Sequence, residues 1–504
     1  MNKFGKTYWL YIIGVFIVID FIVGGLLGWF DNSLFAFLYL ALILLIFIFR
    51  PTWAVVLLVF TQVLDNVSVF GIRPYQWLLG FSLVVASVKY LGPFLKSKAR
   101  KYKAKHFLGR KVFLIALLLI IFFSLLGLLN SPDRAYSLKQ TAALVLAAFI
   151  SFLVNWQASQ GRKHWDKLRV AFVFSSIPVG LLALYQNIAH ERGWQSFEVM
   201  AARPNASFYE PDWLGMFVVL VLILLVSLAI QQKEKKIKGL NLARLGTWSL
   251  IFFNITVLII TVARASWVAM IGALGALFVW VFIARVIKRI TSRDFFRVAG
   301  VIFSFLGMIV LCFMVIKGLH LTRFNLRDRA FSIYQGEHIA TMAEKDGLTR
   351  KIDLEEIEQF EKQGWRVFEA KTFDVNVGSR WSAYASNIVM IKEHWFLGQG
   401  QGSVLARRDF LHNANNIFFE WWIAGGILAL AVFIFLLGRP LKAPLEMMRR
   451  SQDKDSRLVF SATCLMGVTA IVLVNLFNSG VLFIPMWVFL GMIWADPNKG
   501  LKID

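Results

Sequence analysis

Cysteine is nearly missing from this sequence: there are two in 504 residues, Cys312 and Cys464, each inside an apolar run. Two thiols in different hydrophobic segments build neither a disulfide framework nor a metal site. No Cys/His cluster elsewhere has metal-ligand spacing, and no metal or other cofactor is expected. Acidic residues are scarce, 30 against 54 lysines and arginines, which leaves a net charge of +24. Such an excess suits nucleic-acid binding, but here the basic residues lie mostly in short segments between apolar runs. That is the pattern of cytoplasmic loops, so no nucleic-acid partner is expected. No strand–helix pattern surrounds the glycine-rich stretch "LGQGQGS", with glycines at 398, 400 and 402, so it reads as a turn rather than a nucleotide site. Internal repeats are absent as well.

Apolar residues are what the chain has in abundance: 58% are hydrophobic and 15% aromatic. Soluble domains average roughly 45–50% apolar by a count that includes glycine, so the composition is that of a polytopic membrane protein. Taking ~20 apolar residues per crossing, spans fall near 8–30, 33–49, 52–65, 74–91, 112–129, 139–156, 170–188, 212–230, 247–263, 265–284, 298–316, 416–438, 458–477 and 481–495. Those near 52–65 and 481–495 are short. The expected fold is therefore all-α and polytopic, with about 12–14 transmembrane helices. The N-terminal stretch is too long for a signal-peptide core and lacks a small-residue cleavage motif, so it reads as an uncleaved first span.

Five segments, "LKSKARKYKAKHFLGRK", "GRKHWDKLR", "QQKEKKIKGLNLAR", "ARVIKRITSRDFFR" and "RPLKAPLEMMRRSQDKDSR", are strongly basic and alternate onto one side. The intervening loops are much poorer in lysine and arginine, which puts both termini in the cytoplasm. The chain then divides into a first membrane bundle (1–316), an outer-face loop of about a hundred residues (317–415) and a last bundle (416–504). In that loop "DLEEIEQFEKQGW" reads as an exposed amphipathic helix with an acidic first turn. "SRWSAYASNIVMIKEHW" reads as a second helix, capped by Ser379, with Trp381, Ala385, Ile388 and Ile391 near one face.

Polar residues collect on the same outer face. Arg264 sits in a short hairpin, "TVARASWVA", and Arg380 opens the second loop helix. His412 lies where the loop enters the next span, in "FLHNANNIFFEWWIAGG", and "RPNASFYEPDWLGM" leads into the span near 212–230. Two guanidinium forks match the oxygens of a diphosphate, and a histidine takes a proton near neutral pH. Together they suit glycosyl transfer from a lipid diphosphate, in which the acceptor hydroxyl loses a proton and the leaving group gains charge.

Each residue also has a plainer reading. Arg264 could snorkel at a helix end, Arg380 could be a solvated residue, and His412 could belong to the cap of the next span, with Asn415 or Asn416 as the N-cap. Asp20 and Asp65 lie in or beside spans without an evident partner and could mark an ion path. The "NAS" at 205–207 fits a glycosylation acceptor only in a glycosylating cell and carries no assigned role. A transporter or lipid flippase would show facing charges at mid-membrane or broken spans in matched halves, and neither is clear.

In order, "RPNASFYEPDWLGM", "TVARASWVAM", "GSRWSAYASNIVMIKEHWFLGQGQGS" and "LHNANNIFFEWWIAGGILAL" resemble the motifs of the O-antigen ligase and polymerase superfamily of bacterial membrane glycosyltransferases, over about residues 170–440. The order is more specific than any one motif. "FYEPDW" departs from the asparagine–proline–asparagine more usual in that family, and the first half of the chain offers no motif to align. The resemblance implies a metal-independent, inverting transferase in the bacterial cytoplasmic membrane, with an undecaprenyl-diphosphate-linked oligosaccharide as donor. It implies diphosphate-binding roles for Arg264 and Arg380, and acceptor activation by His412. Asn205, Tyr209, Glu210, Trp381 and Asn413 become candidate substrate-binding residues. A polymerase joining repeat units of a surface polysaccharide is the leading expectation, and a ligase acting on a lipid A core or protein acceptor is the alternative. Glycan, lipid A core or protein would be the acceptor, with membrane lipids around the bundle.

Overall fold

The computed structural model describes residues 3–26, 40–41, 43–44, 53–70, 72–86, 107–200, 203–232, 242–319, 321, 338–345, 348–351, 357–372, 375–406, 414–449 and 455–497. Nine helices among these residues are long and apolar enough to cross a membrane, and two shorter apolar helices lie at 11–25 and 484–494. The chain is a multi-pass, all-α membrane protein, with one small sheet in the long loop.

The first half of the chain provides α1 (Lys3–Leu26), α2 (Ala54–Thr61), α3 (Pro74–Ala86), α4 (Phe107–Gly127), α5 (Arg134–Ala158), α6 (Arg162–Phe174) and α7 (Ser176–Glu191). α2 has only eight residues. At ~1.5 Å per residue it cannot cross a core of ~30 Å, so the span expected near 52–65 is a short buried helix instead. The segment "GRKHWDKLR", expected as a basic loop, forms the first turns of α6. α6 and α7 run on as one apolar stretch from Arg162 to Glu191, and Arg169 is buried within it, paired with Asp166 and Gln231.

Next come α8 (Pro211–Gln231), α9 (Leu242–Ile260), α10 (Arg264–Val286) and α11 (Ser292–Gly318). Proline at N1 starts α8, where its missing N–H costs nothing. Thr291 caps α11 by accepting from the Asp294 N–H. α8 is the central pillar: it packs against α6, α9, α10 and α11 and two later helices, and 89% of its most apolar window is buried.

The long loop departs from the all-helical expectation. It carries an antiparallel sheet of β1 (His338–Lys345), β2 (Leu348–Lys351) and β3 (Arg366–Thr372) in the order β2-β1-β3. Met342 pairs with Lys351 on one side and Phe368 on the other. The helix expected over "DLEEIEQFEKQGW" is confined, among the described residues, to α12 (Ile357–Lys362), whose Phe360 is buried with Ala343 against Trp365 and Val367. The short run "RVFEAKT", which carries the β-branched Val367 and the aromatic Phe368, forms a strand once β1 is available to pair with it.

Then follow α13 (Val375–Glu393), α14 (Ser403–Ala406), α15 (Ile417–Gly438), α16 (Lys442–Arg449), α17 (Asp455–Asn475) and α18 (Ile484–Trp494). α13 begins four residues before Ser379, so Ser379 is an internal residue and not its cap. Ser386, Asn387, Met390 and Ile391 are buried on it, whereas Ile388 is exposed. α10 and α17 pack side by side, as do α4 with α15 and α5 with α18.

Candidate functional site

One end of the bundle gathers the described loop residues at 62–70, 72–73, 128–133, 192–200, 203–210, 261–263, 394–402, 414–416 and 476–483. The loop before α8 is built around Asn205. Its side-chain oxygen accepts from the Val199 N–H (3.1 Å) and its amide donates to the Phe208 carbonyl (2.5 Å). Gln186 accepts from the N–H groups of Asn205 and Ala206 at 3.1 and 2.7 Å. Asn205 is buried, so it frames the loop rather than lining a surface open to a ligand. Burial pushes the Glu210 carboxyl up, Asp212 adds to the shift, and Arg203 opposes it.

This loop is fastened on two sides. Toward α2, Ser207 donates to the Val63 carbonyl (2.6 Å) and its own carbonyl accepts from the N–H groups of Asp65 (3.1 Å) and Asn66 (2.8 Å). Asp65 is not the unpartnered carboxylate expected from the sequence: its oxygen lies 2.6 Å from Arg73 Nη1. Arg73 also donates to Tyr75 Oη (2.8 Å) and Tyr209 Oη (2.5 Å), with its guanidinium 4.9 Å above the Tyr209 ring. Burial pushes the Asp65 carboxyl up to about 6, against the pull of Arg73 and a hydrogen bond from Tyr75.

Toward α10, Arg203 donates from Nε to the Thr261 carbonyl (3.2 Å) and pairs with Asp212 (3.0 Å). Thr261 to Ala263 form the expected hairpin, with Val262 in the left-handed region at φ 54°. Arg264 is the first residue of α10 and is half-buried there. The hairpin sits close because α8 carries Gly215 beneath it. A Cβ at that position would lie 2.6 Å from Ala263 Cβ and 2.7 Å from Ser266 Oγ.

Arg380 and Trp381 lie in the second turn of α13, since the helix begins at Val375 and Arg380 does not open it. Tyr384 and Asn387 follow Arg380 at i+4 and i+7, on the same helical face. Tyr384 donates to the Leu476 carbonyl (2.7 Å) at the end of α17, and Asn387 donates to the Ala414 carbonyl (2.8 Å). Asn416 caps α15, accepting from Phe418 (2.9 Å) and Phe419 (3.2 Å), while its amide reaches the same Leu476 carbonyl (3.2 Å). The cap expected at Asn415 or Asn416 is thus Asn416, with Asn415 left-handed at φ 50° beside it. His412 and Asn413 lie outside the described residues. The face that bears Arg380 is nonetheless tied to Ala414, two residues beyond His412.

The glycine-rich turn has a structural task. α15 breaks at Gly425 and Gly426, the latter at φ 71° and ψ −171°. The freed carbonyls of Ile423 and Ala424 accept from the N–H groups of Gln399 (2.6 Å) and Gly400 (2.9 Å), and Ile427 N–H donates to the Trp395 carbonyl (3.0 Å). A Cβ on Gly426 would overlap the Phe396 carbonyl. Irregular backbone among apolar helices is tolerated here because the two segments satisfy each other.

Sequence reasoning missed Arg73, Arg203, Tyr384 and Asn387. A signal was present for the two arginines: both stand before a proline in loops otherwise poor in positive charge, at the end opposite the basic loops. For Tyr384 and Asn387 there was none, because their acceptors are carbonyls 92 and 27 residues away.

Residues 249–434 match the family model described as O-antigen ligase. The match takes in Arg264, Arg380 and His412, along with the hairpin, α13 and the broken helix α15. The match supports the resemblance to the O-antigen ligase and polymerase superfamily that the order of motifs implied. No curated protein and no solved structure matches the chain.

Proposed function

We propose that this membrane protein, which carries an O-antigen ligase domain, is a glycosyltransferase that lengthens a surface polysaccharide on the outer face of the bacterial cytoplasmic membrane. Both termini are cytoplasmic, and the loop-bearing end faces outward. The donor is an undecaprenyl-diphosphate-linked glycan and the acceptor is a second lipid-linked repeat. Arg264 and Arg380 hold the diphosphate. His412 takes the proton of the acceptor hydroxyl as its oxygen attacks the anomeric carbon and the bond to the phosphate oxygen breaks, inverting the configuration. The two arginines stabilise the charge that develops on the departing diphosphate, so the step requires no metal ion. Asn413 and Trp381 adjoin these residues in sequence and contact the substrates.

The observation that carries this reading is a single continuous family match holding both arginines and the histidine in order. The ties from Asn387 to Ala414, and from Tyr384 and Asn416 to Leu476, support it by holding the Arg380 helix against Ala414 and the end of α17. The family's printed description favours a second reading, ligation of a finished glycan to another acceptor.

Mass spectrometry of the lipid-linked glycan pool, in cells expressing wild type or His412→Ala at equal levels, tests both. Accumulation of single lipid-linked repeats in the variant is the result expected of a polymerase. Long lipid-linked chains would mean ligase. An unchanged pool with unchanged envelope glycan would leave His412 as part of a helix cap and overturn the transferase reading.

A further inference from the structure

Arg73 lies outside the family match, and the transfer chemistry leaves it unused. From its surroundings we propose that Arg73, Tyr75 and Tyr209 form a sugar subsite that holds one ring of the acceptor glycan beside the Arg264 hairpin. This inference rests on the transferase reading above.

The fork is already oriented. Arg73 donates two of its N–H groups to Tyr75 Oη and Tyr209 Oη at 2.8 and 2.5 Å, and its Nη1 lies 2.6 Å from Asp65 Oδ1 as an ion pair. The side chain stays 29% exposed, so part of the fork is open to a ligand. Charge narrows the ligand class. Asp65, 6% exposed and in contact with the fork, cancels the arginine's charge. A phosphate dianion gains little from a neutralised guanidinium, whereas sugar hydroxyls need directed donors and no net charge.

The apolar part of the subsite is Tyr209. Its ring carries the Arg73 guanidinium at 4.9 Å and is braced by Trp213 at 6.1 Å, which itself stands against Phe483 at 5.5 Å. Although held this firmly, Tyr209 remains 45% exposed. A rigid aromatic surface beside a few fixed polar groups is the usual construction of a small-molecule site, and it suits the C–H face and hydroxyl rim of a pyranose. A mere strut between the loops is already provided by the bonds of Ser207 to Val63, Asp65 and Asn66, and it would not leave the ring open. Position supplies the last argument. Tyr209 ends the loop whose Arg203 holds the Thr261 carbonyl, so the ring and the Arg264 hairpin are fixed by one segment.

The test uses the full-length protein in detergent or nanodiscs, with lipid-linked glycan extracted from the host's own membranes as substrate and inorganic diphosphate as inhibitor. Tyr209→Ala is expected to raise the acceptor KM about tenfold with kcat within about twofold. Tyr209→Phe, which keeps the ring and its packing, and Arg73→Gln should give smaller rises, with inhibition by inorganic diphosphate unchanged in all three. An unaltered acceptor KM in Tyr209→Phe and Arg73→Gln would overturn the subsite. So would a parallel loss of diphosphate inhibition, which would put Arg73 in the diphosphate clamp. If wild type itself gives no turnover, the transferase reading has failed on its own. Equilibrium binding of the lipid-free glycan then decides the subsite: weaker binding by Tyr209→Ala supports it, and equal binding overturns it.

Discussion

Two helices of almost equal apolar character meet opposite fates in this protein. α8 is buried over 89% of its most apolar window and α11 over 28% of its own. Lipid tails are as apolar as leucine, so hydrophobicity cannot draw one of them to the centre. What separates them is what their small residues touch. On α8, Gly215 lets the Arg264 hairpin settle against the helix, and the loop before it is stitched to both neighbouring loops. On α11, Gly300 and Gly307 have nothing near enough to meet a side chain, and Phe296, Phe303 and Val310 are exposed toward the surrounding bilayer. The buried helix supports the Arg264 hairpin, and the other forms part of the wall.

Exchanging the glycines breaks this comparison most sharply. Gly215→Leu should overpack the α8–α10 contact, cost about 1–3 kcal/mol, and lower turnover more than tenfold by shifting Arg264. Gly307→Leu, the same change in chemistry, should stay within about 0.5 kcal/mol of wild type. Thermal melting and turnover of the two variants, measured side by side, decide the matter, and equal effects would sink the packing argument.

A smaller effect is expected where the loop-bearing end is tied by single buried bonds. Asn387→Ala leaves the Ala414 carbonyl without its donor and should cost about 1–2 kcal/mol. If Asn387 positions the His412 segment, kcat falls while donor KM holds; if both move together, the bond merely stabilises the loop.

The smallest effect is a slope with pH. Asp65 is raised from its usual 3.8 to about 6 in the folded chain. Between those values the folded state keeps a proton that the unfolded state has lost, so stability falls as pH rises through the window, and the cost is fully present above it. Asp65→Asn should melt with a flatter dependence between pH 4 and pH 6 than wild type. Identical slopes would mean that Asp65 does not titrate in that window.

The parts of this architecture that were legible in the sequence are those decided by local chemistry. The spans follow from apolar length, the hairpin before Arg264 from the few residues between two runs, and the Asn416 cap from an amide that reaches N–H groups two and three residues on. The glycine turn at 398–402 was recognised as a turn, but its bonding to the break in α15 depends on residues more than twenty positions away. The pairing of Arg73 with Asp65 and Tyr209 spans two loops that only the fold brings together. The sheet in the long loop was missed because an acidic first turn spoke for helix, while the strands needed one another to form. Arg264 starts α10 after the short hairpin, as read, whereas Arg380 lies one turn deeper in its helix than expected.

The central claim is spatial: Arg264 and His412 serve one diphosphate and its attached sugar. Because Cys312 and Cys464 are both buried, thiols introduced as Arg264→Cys and His412→Cys can be bridged selectively with bifunctional reagents of graded length in the purified protein. Efficient bridging by reagents spanning up to about 15 Å, a diphosphate and one sugar with bonding reach at each side, is the result this account predicts. Bridging only by much longer reagents, or none at all, would contradict it.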